Sequence, residues 1–229
     1  MKIEINNCYN IDCEVGMKLM QEQGLKADWV ITDPPYGIQA GGVGRVNYVE
    51  QNGGIAERRN YTVKSWDNVR IKPELFDLMA NCSKDQIIFG GNYYTDILPP
   101  TKSWVIWDKI TKAKYRNNFA DCEMAWCSKG QCRIFHYLFN GMIQDDMKNK
   151  DFRFHPTQKP TQLWAQLLNY YTKEGDLILD PFAGSQSLRI ACHKLKRNYI
   201  GFEIDKEYYE KGQKWFESET SQLSLFDLM

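Results

Sequence analysis

The feature that most constrains this chain is a strand, a turn of small residues and a helix read in succession near its end. Asp176-Leu177-Ile178-Leu179-Asp180 is a short apolar run of the kind that forms a buried strand, and Pro181-Phe182-Ala183-Gly184-Ser185 follows it as a tight turn. Residues 187–195 then have helical spacing, and Asn198-Tyr199-Ile200-Gly201-Phe202 reads as a second strand that ends at an acid, Glu203. Such a turn lets backbone approach a nucleotide-like ligand and aims a helix N-terminus at it, while the acid can accept both hydroxyls of a ribose. An ordinary βαβ unit without a ligand shares this outline.

The same alternation runs through the chain. Residues 2–6 and 28–32 read as strands flanking a helix at 15–23, and 86–89 and 103–107 as further strands. Residues 123–127 and 133–139 read as a later pair of strands, 161–171 as a helix and 206–219 as a last amphipathic helix. This predicts an α/β fold, a mostly parallel sheet with helices on both faces. A chain of 229 residues, 43% hydrophobic and 14% aromatic, is enough for one sizeable core.

Asp33-Pro34-Pro35-Tyr36 closes the apolar run at 28–32. Asp and Pro are ordinary turn residues, so the tetrapeptide by itself also reads as a turn that ends a strand. It matches the catalytic signature of enzymes that methylate an exocyclic amino group on a nucleic-acid base. The lone pair of such an amine is delocalised into the ring. A carboxylate (Asp33) and a carbonyl fixed by a following proline (that of Pro34) can each accept one N–H and so localise it. Pro34 and Pro35 hold φ near one value and bring no competing N–H. The Tyr36 ring offers a face for a flipped base.

Taken with that signature, the chain resembles a small S-adenosylmethionine-dependent DNA amino-methyltransferase. The family's cofactor motif is similar to Asp180-Pro181-Phe182-Ala183-Gly184-Ser185. The motif before it, bordering the methionine end of the cofactor, is similar to His155-Pro156-Thr157-Gln158-Lys159-Pro160, and Glu203 falls on the ribose-binding acid. The catalytic tetrapeptide precedes the cofactor motif, which is the permuted order of the β group. In that order Asn10-Ile11-Asp12-Cys13 resembles the segment beside the cofactor adenine. The resemblance implies a Rossmann-like methyltransferase fold with a seven-stranded sheet. It implies one domain over residues 1–216, with a catalytic half at 1–152 and a cofactor half at 153–216. Cofactor contacts are expected at Asp12, Cys13, Asp33, His155, Thr157, Gln158, Lys159, Asp180, Phe182, Ala183, Gly184, Ser185, Ser187 and Glu203. The implied activity is direct methyl transfer to adenine N6 after base flipping, in an enzyme akin to those of phages or mobile elements. Cytosine N4, RNA adenine and a catalytically idle DNA-associated protein are the alternatives. Adenine is preferred because β-group cytosine enzymes more often carry Ser where this chain has Asp33. One departure stands out: the family usually continues as Gly-Ser-Gly-Thr, whereas this chain reads Gly184-Ser185-Gln186-Ser187. If the turn needs φ > 0 there, a working site of modest cofactor affinity is expected.

The formal net charge is zero, so attraction to DNA phosphates needs local patches. Lys102, Lys109, Lys112, Lys114 and Arg116 form one, and Arg45, Arg58, Arg59 and Lys64 another. The second lies in a glycine-rich stretch, residues 37–67, too long for an ordinary connection and read as a mobile loop that closes over substrate. Recognition of the DNA sequence should be short or relaxed, since only residues 130–154 are free for it. Seven cysteines without a Cys-x-x-Cys pair, beside three histidines, suggest free thiols and no metal. With no apolar run near the roughly 20 residues of a membrane span, a cytoplasmic protein of a bacterial or phage-infected cell is expected. In the tail, residues 217–229, a polar spacer leads to Gln222-Leu223-Ser224-Leu225-Phe226, which resembles the peptide that docks bacterial proteins on the DNA sliding clamp. DNA, that clamp and a second copy of the chain are the expected partners, with no membrane.

Overall fold

The computed structural model describes residues 1–38, 67–111, 120–140 and 143–226, with side chains up to residue 221. Most of the expected loop, with Arg45, Arg58, Arg59 and Lys64, lies outside the described residues, as do Lys112, Lys114 and Arg116 and the side chains of Gln222, Leu223, Leu225 and Phe226.

The elements are β1 (Asn7–Tyr9), α1 (Cys13–Glu22), β2 (Ala27–Thr32), α2 (Pro73–Asn81), β3 (Ser83–Phe89), β4 (Trp104–Asp108), β5 (Cys122–Cys127), β6 (Arg133–His136), β7 (Phe139–Asn140), β8 (Ile143–Gln144), α3 (Thr161–Tyr171), β9 (Leu177–Asp180), α4 (Ser187–Lys194), β10 (Asn198–Phe202) and α5 (Lys206–Phe226). Eight strands, one more than the resemblance implied, form a sheet in the order β1-β10-β9-β2-β3-β5-β4-β6. The first five positions are mutually parallel, β5 runs antiparallel to both neighbours, and β6 returns parallel to β4.

Strand alternation assigns the two faces. Trp29, Ile31, Ile87, Phe89 and Ile178 pack with Leu163, Trp164 and Leu167 of α3 and Leu188 and Cys192 of α4. Val30, Ile88, Leu177, Leu179 and Ile200 pack on the other face with Met17 and Met20 of α1 and Phe76 and Met79 of α2. A smaller cluster of Phe154, Ile190, Tyr208 and Trp215 attaches α5 to α4.

Three expectations are corrected. The first strand lies at Asn7–Tyr9 rather than 2–6, because Asn6 takes a left-handed φ of 68° and extended backbone resumes only after it. The strands at 123–127 and 133–136 do not pair with each other, since β4 is inserted between them. The polar segment read as a spacer before the tail peptide is helical, α5 being continuous through Phe226.

Candidate active site

The sheet winds outward from β9 to β10 in one direction and from β2 to β3 in the other, so the winding reverses between β2 and β9. Open α/β sheets bind ligands at the carboxyl ends of strands beside such a reversal. Asp33 follows β2, Asp180 ends β9 and Glu203 follows β10, so all three acids arrive there. The Thr32 hydroxyl donates to Asp180 Oδ1 across the junction at 2.7 Å. Two cavities open at this edge, of about 400 and about 320 Å³, and Asp33, Thr157, Gln158 and Lys159 line both.

On the larger cavity, Asp33 is gripped from two sides. The Tyr36 hydroxyl donates to its Oδ1, and the Lys159 ammonium lies 2.5 Å from its Oδ2. Lys159, 4% exposed, is also 3.1 Å from Glu123 Oε2, and Lys109 is 2.8 Å from Glu123 Oε1. Carboxylates and ammonium groups therefore alternate from Asp33 to Lys109. Glu123 joins this row because β5 is antiparallel to β3 and β4, which brings its first residues to the carboxyl end of its neighbours. Burial pushes the Asp33 carboxyl up; the Lys159 charge opposes it, and the group stays above the usual carboxylate range. Burial also acts upward on Glu123, but Lys159 and Lys109 together overcome it and hold that acid at about 2. For Lys159, burial acts downward and the two carboxylates prevail, so its ammonium is held above its ordinary value.

The aromatic wall is built around Tyr36. Its ring stacks on Tyr93 at 4.9 Å with planes 19° apart, and Tyr94 stands edge-on at 6.5 Å and donates its hydroxyl to the Pro35 carbonyl. Gly90, just after β3, has φ of 67°, and a Cβ there would run into the Tyr36 ring. The Gly37 N–H donates to buried Asp67 at 2.9 Å, which joins the two described ends of the segment between them.

Away from Asp33 and Lys159, the smaller cavity is walled by acids held through backbone and hydroxyl donors. Gly184 N–H donates to Glu203 Oε2 and Asp205 N–H to Glu203 Oε1, both at 2.7 Å, which fixes the carboxylate at the end of β10. Burial drives the Asp180 carboxyl up to about 7, against the hydrogen bonds from Thr32 and the Phe182 N–H. His155 rests on the Tyr208 ring with centroids 4.3 Å apart. Gln186 has φ of 62°, so the turn does require a left-handed residue where the family pattern has glycine. Its side chain is fully buried and turns toward α5, where Nε2 donates to the Tyr209 carbonyl at 3.0 Å.

The structure gathers Asp33, His155, Thr157, Gln158, Lys159, Asp180, Phe182, Ala183, Gly184, Ser185, Ser187 and Glu203 around the smaller cavity. Asp12 and Cys13 line neither cavity; the Asp12 carboxylate caps α1 by accepting from the Glu14 and Val15 N–H groups, and Cys13 is the first residue of that helix. Gln158 lines the wall but spends its amide on the Phe152 carbonyl and the Phe154 N–H. Lys109, expected at a DNA phosphate, faces into the larger cavity and pairs with Glu123. Glu123, Tyr93, Trp107 and Arg153 of the larger cavity escaped the sequence reading. Only for Glu123 was there a signal, an acid at the head of an otherwise apolar strand.

Comparison with known proteins agrees with this geometry. The family model for N6/N4 DNA methylases matches residues 99–214. The type II methyltransferase M.HpaI of Haemophilus parainfluenzae is 40% identical over 79 residues, 34% of this chain and 25% of that protein. M2.MboI of Moraxella bovis, also a type II methyltransferase, is 44% identical over 136 residues, 59% of this chain and 46% of that protein. The chain thus matches less than half the length of these curated relatives. Among solved structures, the M1.HpyAVI complex with SAM superposes with a TM-score of 0.59 at 26% identity, covering 91% of this chain and 98% of that one. With its family model spanning half the sequence and the fold in agreement, the chain belongs to the N6/N4 DNA methylase family.

Proposed function

We propose that the chain transfers a methyl group from S-adenosylmethionine to adenine N6 in DNA. The observation that carries this reading is the shared wall: Asp33 and Lys159 line both cavities, so a methyl donor in one and a base in the other meet at the Asp33 carboxylate. The smaller cavity suits the donor, with Glu203 for the ribose hydroxyls and the turn at 183–187 at the N-terminus of α4. When bound, the donor supplies an electrophilic methyl group on a sulfonium. Asp33 and the Pro34 carbonyl accept the two amine N–H groups, aiming the nitrogen lone pair at that methyl. Lys159 opposes the effect of burial on Asp33, favouring its acceptor form. The flipped base stacks in the aromatic wall of Tyr36.

The reading extends to a β-group enzyme of phage or mobile-element type, permuted in one domain at 1–216 with halves at 1–152 and 153–216. It further takes the 37–67 segment as a substrate loop, and Arg45, Arg58, Arg59, Lys112, Lys114 and Arg116 as phosphate contacts. A cytoplasmic homodimer is the proposed form; among the described residues no helix is long and apolar enough to cross a membrane. Methylation-sensitive sequencing of DNA from cells expressing the protein tests the activity, with N6-methyladenine at a recurrent site expected and unmodified DNA or N4-methylcytosine overturning it. We also propose clamp docking through Gln222, Leu223, Leu225 and Phe226. In a pull-down, a bacterial clamp should retain the full chain and lose a variant with Leu225 and Phe226 changed to Ala.

A further inference from the structure

Gln186 is a non-glycine residue in the left-handed region and carries the link between two walls of the smaller cavity. Its neighbours Ser185 and Ser187 line one wall, and Tyr208 of α5 lines another, against His155. The Gln186 side chain joins them one residue away, donating to the Tyr209 carbonyl at 3.0 Å and accepting from Arg189 at 2.9 Å. Arg189 continues the contact by donating to Gln213 and to the Asn6 carbonyl, with its guanidinium 3.8 Å over the Phe216 ring. Gly212 makes room for this arrangement, because a Cβ there would sit 2.6 Å from Gln186 Nε2.

We propose that Gln186 and Gly212 form a latch by which α5 sets the width of the cofactor cavity, with Gln186 as a positioning residue that replaces the glycine of the family pattern. A left-handed conformation disfavours Gln, and the buried hydrogen bonds to α5 offset that preference. The turn at 183–187 is thereby tied to α5 rather than held by glycine alone. Cofactor affinity then depends on the docking of a helix whose latch residues Tyr209, Gly212 and Gln213 do not touch the ligand site.

This inference rests on the smaller cavity being the S-adenosylmethionine site. The test is calorimetric titration of the full chain with S-adenosylhomocysteine, beside thermal unfolding of the ligand-free protein. Gly212→Ala gives α5 a better helix former while its methyl displaces the Gln186 amide, and Gln186→Gly keeps the turn but removes the latch. Gln186→Asn tolerates positive φ and is one methylene too short to reach Tyr209, which provides a third, conservative variant. Each loses the bond from Gln186 to the Tyr209 carbonyl of α5 and is expected to bind about tenfold more weakly than wild type, the worth of one buried hydrogen bond, while still unfolding cooperatively. The double variant Gln186→Gly with Gly212→Ala should be no weaker than Gln186→Gly alone, because the contact to Tyr209 that Gly212→Ala breaks is already lost. Wild-type affinity in the single variants, or losses that add in the double variant, overturns the latch. Absence of binding by the wild type overturns the cofactor reading and the latch with it.

Discussion

The two turns that meet between β2 and β9, residues 33–36 and 180–187, are held by different forces. Around Asp33 the Tyr36 hydroxyl is joined by a row of full charges, Lys159 on Asp33 and then Glu123 and Lys109, delivered by segments remote in sequence. Around Asp180 the contacts are neutral donors and backbone: the Thr32 hydroxyl, the Phe182 N–H, and the Ala183 N–H on the Phe202 carbonyl. Charge pairs in a dry site act strongly but must be complete, since a buried ion that loses its partner is far costlier than a missing neutral hydrogen bond. The turn at 33–36 should therefore fail abruptly when altered, and the turn at 180–187 by degrees.

The largest expected effect follows from removing the acid that both cavities share. Asp33→Ala deletes the acceptor for the amine and leaves Lys159 with Glu123 alone. Methyl transfer should fall about a thousandfold, in the range seen when a preorganised electrostatic group is lost. Affinity for S-adenosylhomocysteine should change little, because Glu203 and the turn at 183–187 are untouched. A variant with wild-type turnover would remove Asp33 from the reaction.

Two of the acids that face the cavities, Glu123 and Asp180, should respond oppositely to pH. Glu123 is depressed to about 2 in the folded protein, so its contribution to stability is present above the ordinary carboxylate value near 4.5 and is lost as pH falls toward 2. Asp180 is raised from 3.8 to about 7, so its contribution is complete below 3.8 and disappears as pH rises through 7. Asp180→Asn removes the second dependence while keeping an oxygen for the Thr32 hydroxyl. Urea unfolding should show wild type losing a few kcal/mol relative to this variant between about pH 4 and pH 8, an order of magnitude set by the size of the shift. Parallel stability profiles for the two proteins would mean that Asp180 is ionised at no cost.

What the sequence disclosed follows the same division. The turn at 180–187 is a local motif, so Asp180, Ala183, Gly184 and Ser185 could be singled out from one stretch and do line the smaller cavity, and α3, β9, α4 and β10 followed from periodicity within a residue or two. The tetrapeptide at 33–36 was equally visible, but its electrostatic partners were not. Glu123 reaches the site only because β5 runs antiparallel, a topological fact that no local pattern carries. Lys109 looked like one of a cluster of surface cations until the sheet turned it inward. Gln186 shows the converse: the need for positive φ was legible from the missing glycine, but its compensation lies on α5, where Gly212 is an unremarked residue in a polar helix. α2 went unread although Pro73 begins it and Phe76 and Met79 lie one turn apart.

The smallest effects give the sharpest comparison, because two acids of the same type should separate two kinetic parameters. Glu203 orients through backbone amides and faces the smaller cavity, whereas Glu123 pairs with the Lys159 that holds Asp33, adds its own like-charge repulsion on Asp33, and lines the larger one. Glu203→Gln keeps an oxygen for Gly184 but lowers its strength as an acceptor, so cofactor affinity should weaken about tenfold, the worth of one charge-assisted hydrogen bond, with turnover at saturation retained. Glu123→Gln relaxes the pull on Lys159, which then binds Asp33 more tightly and competes with the amine. Turnover should fall about tenfold with cofactor affinity unchanged, the sign of an interaction expressed mainly in the transition state. Glu123→Asp, which restores the charge one methylene further back, should recover part of that loss, whereas a structural defect would not respond to charge. If both variants at Glu203 and Glu123 instead raised the cofactor dissociation constant by the same factor, the two cavities would not be functionally distinct, and the assignment of one to the donor and one to the base would fall.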